Sequence, residues 1–270
     1  MDEIRKVYRK ITGNSAQTIV DIYGGLNSHN YLINHQDVLR LKHPSIDPLN
    51  NPKTEYLAEQ LVKPLNITPK LLHFNQKTGV KLTSYLNDVA FLRQPLDEKE
   101  IIIVAETIKA LHQLKASDFP TFDPINRYDI YKKEAGIFTT YPNETKLIDF
   151  IKVDQEQGPL VFCHNDLVKG NLLFKDTKLY IIDYEYAGLN HPMFDLASFI
   201  SENNINDQAM INLFLKTYFT DKPIQKRTFN IYIKFLDYLW YYWAQALFKK
   251  TGQSVYKTIA HIKWKRISNR

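Results

Sequence analysis

The sequence predicts an α+β chain: a β-rich amino-terminal region with one helix, then a larger, mainly helical region carrying a small β insert. Three observations lead there. Up to about residue 84, short runs rich in β-branched and aromatic residues are separated by turn residues. From about residue 96, apolar residues recur at helical spacing. Between residues 160 and 183 the β pattern returns in LVF, LLF and LYIID. With 270 residues the chain is long enough for two such parts, divided here into 1–86 and 87–270.

Residues 17–42 read as β structure, QTIVDIY and YLINHQDVLRLK, joined through the Gly-containing turn GGLNSHN. LNNPKTEYLAEQLV has a helical pattern, with Leu57, Leu61 and Val62 on one face. ITPKLLHFNQKTGVKLTSYL gives two more strands joined at NQKTG. Asp97 followed by Glu100 has the spacing of a capping box before the helix IIIVAETIKALHQLK. The turn KDTK folds LYIID back on LLF. Helices follow around PMFDLASFISEN, over QAMINLFLKTYF, near 228–248 and over 254–264.

Composition bounds the function classes. Hydrophobic residues at 44% and charged residues at 24% are ordinary for a globular protein. The 17 Tyr and 15 Phe argue against disorder. The start, MDEIRKVYRK, lacks the apolar core of a signal peptide. No run approaches the roughly 18 apolar residues of a spanning helix. A cytoplasmic protein without membrane insertion is expected. The single Cys163 excludes an internal disulfide and a cysteine zinc cluster, and reads as a core residue. The formal charge of +6 suits an anionic small molecule. No zinc-finger or RNP spacing points to nucleic acid. The sequence is silent on oligomeric state.

The residues with most chemistry lie in HNDLVKGN, residues 164–171. Asp166 and Asn171 share this loop. Asp183 ends the strand LYIID, and Glu185 follows it. The KDTK hairpin brings Asp183 towards Asn171. An Asn carbonyl and a carboxylate are hard oxygen ligands, suited to Mg²⁺ rather than zinc. Asp166 then remains free as a base or orienting group for a hydroxyl nucleophile. Phosphoryl transfer needs mainly positioning and charge neutralisation, which this set supplies.

HNDLVKGN together with IIDYEYAG resembles the catalytic and metal-binding motifs of the choline/ethanolamine kinase family, and NHPMFDLASFISEN continues the likeness. The resemblance implies a two-lobed protein-kinase-like fold, with a nucleotide-binding N-lobe and a catalytic, acceptor-binding C-lobe. It implies ATP and Mg²⁺ as cofactors. Asp166 would orient or deprotonate the acceptor hydroxyl. Asn171 and Asp183 would hold Mg²⁺, with Glu185 assisting. IYGGLNSHNYLI is similar to the family's nucleotide loop, which implicates Gly25, Asn27, Ser28 and Asn30. Arg40 stands where protein kinases use a strand lysine, with Glu55 as its partner or Glu59 in reserve. KLTSYLND resembles the hinge, where the backbone of Ser84, Tyr85 and Leu86 would meet adenine. His112, in LHQL, would support the catalytic loop.

The acceptor is read from charge and aromatics. Residues 183–207 hold five carboxylates and no Lys or Arg, which suits a cation. Asp195 is divided between capping its helix and facing the acceptor. Glu202 lies two helical turns further on, on the same face. Trp240 and Trp243 are three apart in LDYLWYYWAQA, with Asp237 three before. Such a pair is often core, yet aromatic faces also hold quaternary ammonium groups. The resemblance assigns this helix to a choline pocket, with Tyr186, Glu202, Trp240, Tyr238 and Trp243. Phosphorylation of choline to phosphocholine is therefore expected. Ethanolamine, thiamine or an aminoglycoside as acceptor is the alternative, and a nucleotide- or choline-binding protein without turnover is a third.

Overall fold

The computed structural model describes residues 1–22, 28–42, 49–92, 95–141, 143–220 and 222–269. Its elements run α1 (Asp2–Thr12), β1 (Ile19–Ile22), β2 (Ser28–Ile33), β3 (Asp37–Lys42), α2 (Pro52–Val62), β4 (Leu71–Phe74), β5 (Lys81–Ser84), β6 (Ala90–Phe91), α3 (Glu98–His112), α4 (Pro124–Ala135) and α5 (Glu144–Gln157). Then come β7 (Val161–Cys163), β8 (Leu172–Lys175), β9 (Lys178–Ile181), β10 (Gly188–Asn190), α6 (Pro192–Glu202), α7 (Gln208–Phe219), α8 (Lys226–Thr251) and α9 (Ser254–Ser268). They divide into two compact units: Met1–Pro95 with Lys169–Tyr186, and Leu96–Val168 with Ala187–Arg270.

The first unit is built on an antiparallel sheet of order β1-β2-β3-β5-β4. Its register sorts the side chains. Ile22, Asn30, Arg40 and Lys81 lie opposite one another in a row across four strands. Successive strand residues face opposite sides, so the next residues fall on the other face. There Ile33, Leu39 and Leu82 pack with Ile4 and Tyr8 of α1. Asp2 and Glu3 open α1, Arg9 and Lys10 close it, and Gly13 at φ 76° ends it. The many charges hide this helix in the sequence, although Ile4, Tyr8 and Ile11 follow its period. The sheet also has one more hairpin than expected. YLINHQDVLRLK is two strands, turned by Asn34 and His35 at φ 52° and 55°.

Helix α2 starts at the Asn51 cap with Pro52 behind it. Its buried face is Glu55, Ala58, Glu59 and Val62. The expected apolar face is therefore corrected: Leu57 is exposed and Leu61 only half-buried. Ion pairing, described below, reverses the ordinary hydrophobic reading. The hairpin β8–β9 pairs with β6 in a separate small sheet of this unit.

The second unit is helical around α8, whose turns from Phe229 to Leu247 are largely buried. α4, α6 and α9 pack on it, and α7 packs on α3. The capping box of α3 is present, with Asp97 and Glu100 each accepting from the other's N–H. β7 and β10 pair antiparallel. Among the described residues no helix is long and apolar enough to cross a membrane.

Candidate active site

In the first unit a cavity of about 340 Å³ opens on the sheet face away from α1. Asn30, Arg40, Ser84, Tyr85, Leu86 and Asp183 all line it, beside Ile22, Val38, Phe91 and Leu173. Its walls are apolar, with a charged end. Ser28 begins β2, and Gly25 and Asn27 lie outside the described residues.

The charged end is a network. Arg40 places Nη1 2.6 Å from Glu55 and 3.0 Å from Asp183. Its Nη2 donates to Glu55 at 2.8 Å and to the Gly79 carbonyl at 3.2 Å. Glu59 instead takes Lys81, at 2.9 Å, and Lys81 also reaches Glu55 at 3.1 Å. Burial pushes the Glu55 carboxyl up, but Arg40 and Lys81 outweigh it and bring it down to about 2. Burial alone would lower Arg40, and its carboxylate partners raise it instead. Lys81 is a residue that sequence reasoning missed. The available signal was Glu59, a second carboxylate one turn after Glu55 that needs its own cation.

Asn171 closes a single 3₁₀ turn, Lys169–Asn171, before β8. The hairpin ladder carries past the strands: Ile182 N–H donates to the Asn171 carbonyl at 3.0 Å. Asp183, the next residue, thus lies at the Asn171 end of the hairpin. Asp183 sits at φ 66°, a left-handed conformation that Asp tolerates better than most residues. Glu185 is buried and paired with Lys42 at 3.1 Å. Tyr186 is buried in the same short turn, Tyr184–Tyr186. The side-chain oxygens of Asn171, Asp183 and Glu185 are of the donor type that a hard divalent cation would take.

Asp166 belongs to the second unit, on the loop after β7. The loop is held from behind by Asp195, itself fully buried. Asp195 accepts from the His164 N–H at 2.8 Å and from the Asn165 N–H at 2.7 Å. Asn165 stands at φ 66° and its side chain accepts from Asn190 at 2.7 Å. The His164 ring accepts from the Asp166 N–H at 3.2 Å. Asn203 donates to the Leu167 carbonyl at 2.7 Å. His112 meets Asp195 through Nε2 at 3.1 Å and Tyr218 through Nδ1 at 2.8 Å. Asp195 does not cap α6; His191 does, accepting from Met193. Its geometry is that of a residue positioning the loop. Cys163 is buried beside it, and burial, with Asp195 close by, pushes the thiol well up.

Further along the second unit, Trp240 and Trp243 meet edge to face at 5.8 Å, and Trp243 meets Tyr256 at 5.5 Å. Tyr238, Trp240 and Trp243 are all buried on α8. The acidic face read from the sequence is neutralised from elsewhere. Lys263 of α9 bonds Glu202 at 2.5 Å and Asp237 at 3.4 Å, and Arg266 reaches Asp237 at 3.3 Å. Cations more than sixty residues from Glu202 in sequence escape a reading by local charge.

The family model for choline/ethanolamine kinase matches residues 19–265. The chain belongs to the choline/ethanolamine kinase family. This kinase is 28% identical to protein LicA of Haemophilus influenzae over 245 residues, 82% of this chain and 71% of the relative. It is also similar in fold to the choline kinase LicA from Streptococcus pneumoniae, with a TM-score of 0.80 at 20% identity, covering 99% of this chain and 100% of the other. A spectinomycin phosphotransferase solved with ADP and spectinomycin matches at a TM-score of 0.68 and 16% identity, covering 97% and 93%. The fold is thus the protein-kinase-like one shared with aminoglycoside phosphotransferases, and its family makes the chain a small-molecule alcohol kinase.

Proposed function

We propose that this kinase transfers the γ-phosphoryl group of ATP to the hydroxyl of choline, giving phosphocholine. The state of the acidic residues carries the choreography of acceptor choice. Glu202 and Asp237 already accept from Lys263 and Arg266, so they offer an ammonium few free acceptors. A quaternary ammonium needs none, because it has no N–H to donate, and it binds aromatic faces instead. Tyr238, Trp240 and Trp243 offer such faces, with Tyr186 as a further candidate. This favours choline over ethanolamine.

The residues have distinct tasks in this reading. The apolar walls by Ser84, Tyr85 and Leu86 receive the adenine. Arg40, fixed by Glu55, orients Asp183. Asn171, Asp183 and Glu185 hold Mg²⁺, which when bound supplies charge neutralisation at the phosphates. Asp166 accepts the hydroxyl proton as the oxygen attacks. Asp195 keeps its loop in place. The site thereby spends little on chemistry and much on position.

The test is ADP release with Mg-ATP against choline, ethanolamine, thiamine and an aminoglycoside, beside Asp166→Ala. Turnover strongest with choline and absent in the variant is expected. Turnover with another acceptor and none with choline would discard the aromatic receptor.

A further inference from the structure

A cavity of about 290 Å³ lies within the second unit, and of its lining residues only Tyr238 has a task in the proposed reaction. It is formed by the first turns of α5, the amino-terminal half of α8 and the end of α9. Lys146, Arg227 and Lys234 converge on it, over a floor that includes Phe150, Ile231 and Tyr238. No carboxylate lines it among the described residues.

Three features make this more than a solvated basic face. None of the three exposed cations has an ion pair among the described residues. Like charges gathered round one concavity repel, weakly where solvent screens them, and a counter-anion bound among them removes the repulsion. Helix α5 also begins here, its cap residue Asn143 lining the cavity with no side-chain cap bond, which adds the positive end of one helix dipole. The floor is apolar and aromatic, which bare phosphate does not need.

We infer that this cavity binds a small phosphate ester, a dianion carried on a compact body. The phosphate meets Lys146, Arg227 and Lys234, and the body rests on Phe150, Ile231 and Tyr238. The source is either the reaction's own product or another phosphorylated metabolite. The product fits well, since its trimethylammonium suits the Tyr238 face. Tyr238 is also a candidate for the acceptor receptor, so occupancy here would be felt in the acceptor KM. That link rests on the proposed function; the binding does not.

The probes are phosphocholine and inorganic phosphate, titrated calorimetrically into the nucleotide-free protein. The comparison is the Lys146→Gln/Arg227→Gln/Lys234→Gln variant, whose three positions are exposed and whose fold is checked by circular dichroism. Phosphocholine should bind wild type at least about tenfold more tightly than the variant, and more tightly than inorganic phosphate. The difference should shrink as salt rises. A metabolite source is indicated if both probes compete for the site yet bind equally weakly beside an aromatic phosphate ester such as phenyl phosphate. Isotherms that are the same for wild type and variant with all three probes overturn the site. Binding that is lost in the variant while choline turnover is absent counts against the acceptor reading and leaves this site standing.

Discussion

Asp195→Asn tests the loop clamp with almost no change in shape. The carboxylate has three donors to satisfy: the N–H groups of His164 and Asn165, and His112 Nε2. The first and last share Oδ2, while the Asn165 N–H takes Oδ1. An amide has one oxygen. The cheaper rotamer keeps it at the Oδ2 position, so its NH₂ faces the Asn165 N–H, donor against donor. An orphaned buried donor costs about 1–3 kcal/mol, and loss of a charge-assisted bond falls in the upper part of that range. We expect about 2–3 kcal/mol of destabilisation in urea unfolding. The loop then relaxes around Asn165, and a displaced catalytic group costs between about tenfold and a hundredfold in rate. In steady-state assays kcat should fall while both KM values hold. A variant within about 0.5 kcal/mol of wild type, the range of ordinary surface changes, with unchanged kcat would refute the clamp.

Asp166→Ala should unfold like wild type and nearly abolish turnover; substantial remaining activity would remove its role as base. Trp240→Ala should raise the choline KM by about threefold to thirtyfold, the worth of a cation–π contact, and leave the ATP KM unmoved. Equal effects on both would make Trp240 plain core. The Glu55 carboxyl is depressed to about 2 in the fold from an ordinary 4.5. Its contribution is whole above about pH 4.5 and is lost as pH falls towards 2. Wild type should therefore lose urea stability between about pH 5 and pH 3 more steeply than Glu55→Gln, and parallel curves would contradict the pairing.

Sequence reading succeeded where the determinants are local. Turn residues and period-two runs marked the hairpins β4–β5 and β8–β9, and the Asp97–Glu100 spacing marked the start of α3. It failed where distant partners decide. The buried face of α2 carries Glu55 and Glu59 because Arg40 and Lys81 wait on neighbouring strands, so a search for apolar stripes chose Leu57. The carboxylates Glu202 and Asp237 looked like a receptor for a cation until α9 supplied Lys263 and Arg266. Asp195 was legible as a helix residue, but its bonds to His164 and Asn165 cross some thirty residues of chain. Asp166, Asn171 and Asp183, to which the proposed reaction gives its chemistry, stand out in the sequence because their motif is compact.

In the proposed reaction the network around Arg40 bears on how a nucleotide would be captured. Arg40, Lys42 and Lys81 are matched by Glu55, Glu59, Asp183 and Glu185, three cations to four carboxylates. This wall is not an electropositive trap. On the proposed reaction, these seven side chains offer a polyphosphate no net positive charge, so a counter-charge that travels with it is favoured. On the proposed reaction, selectivity between a metal-laden nucleotide and a naked one is set by charge parity in the wall before any contact with the base is made.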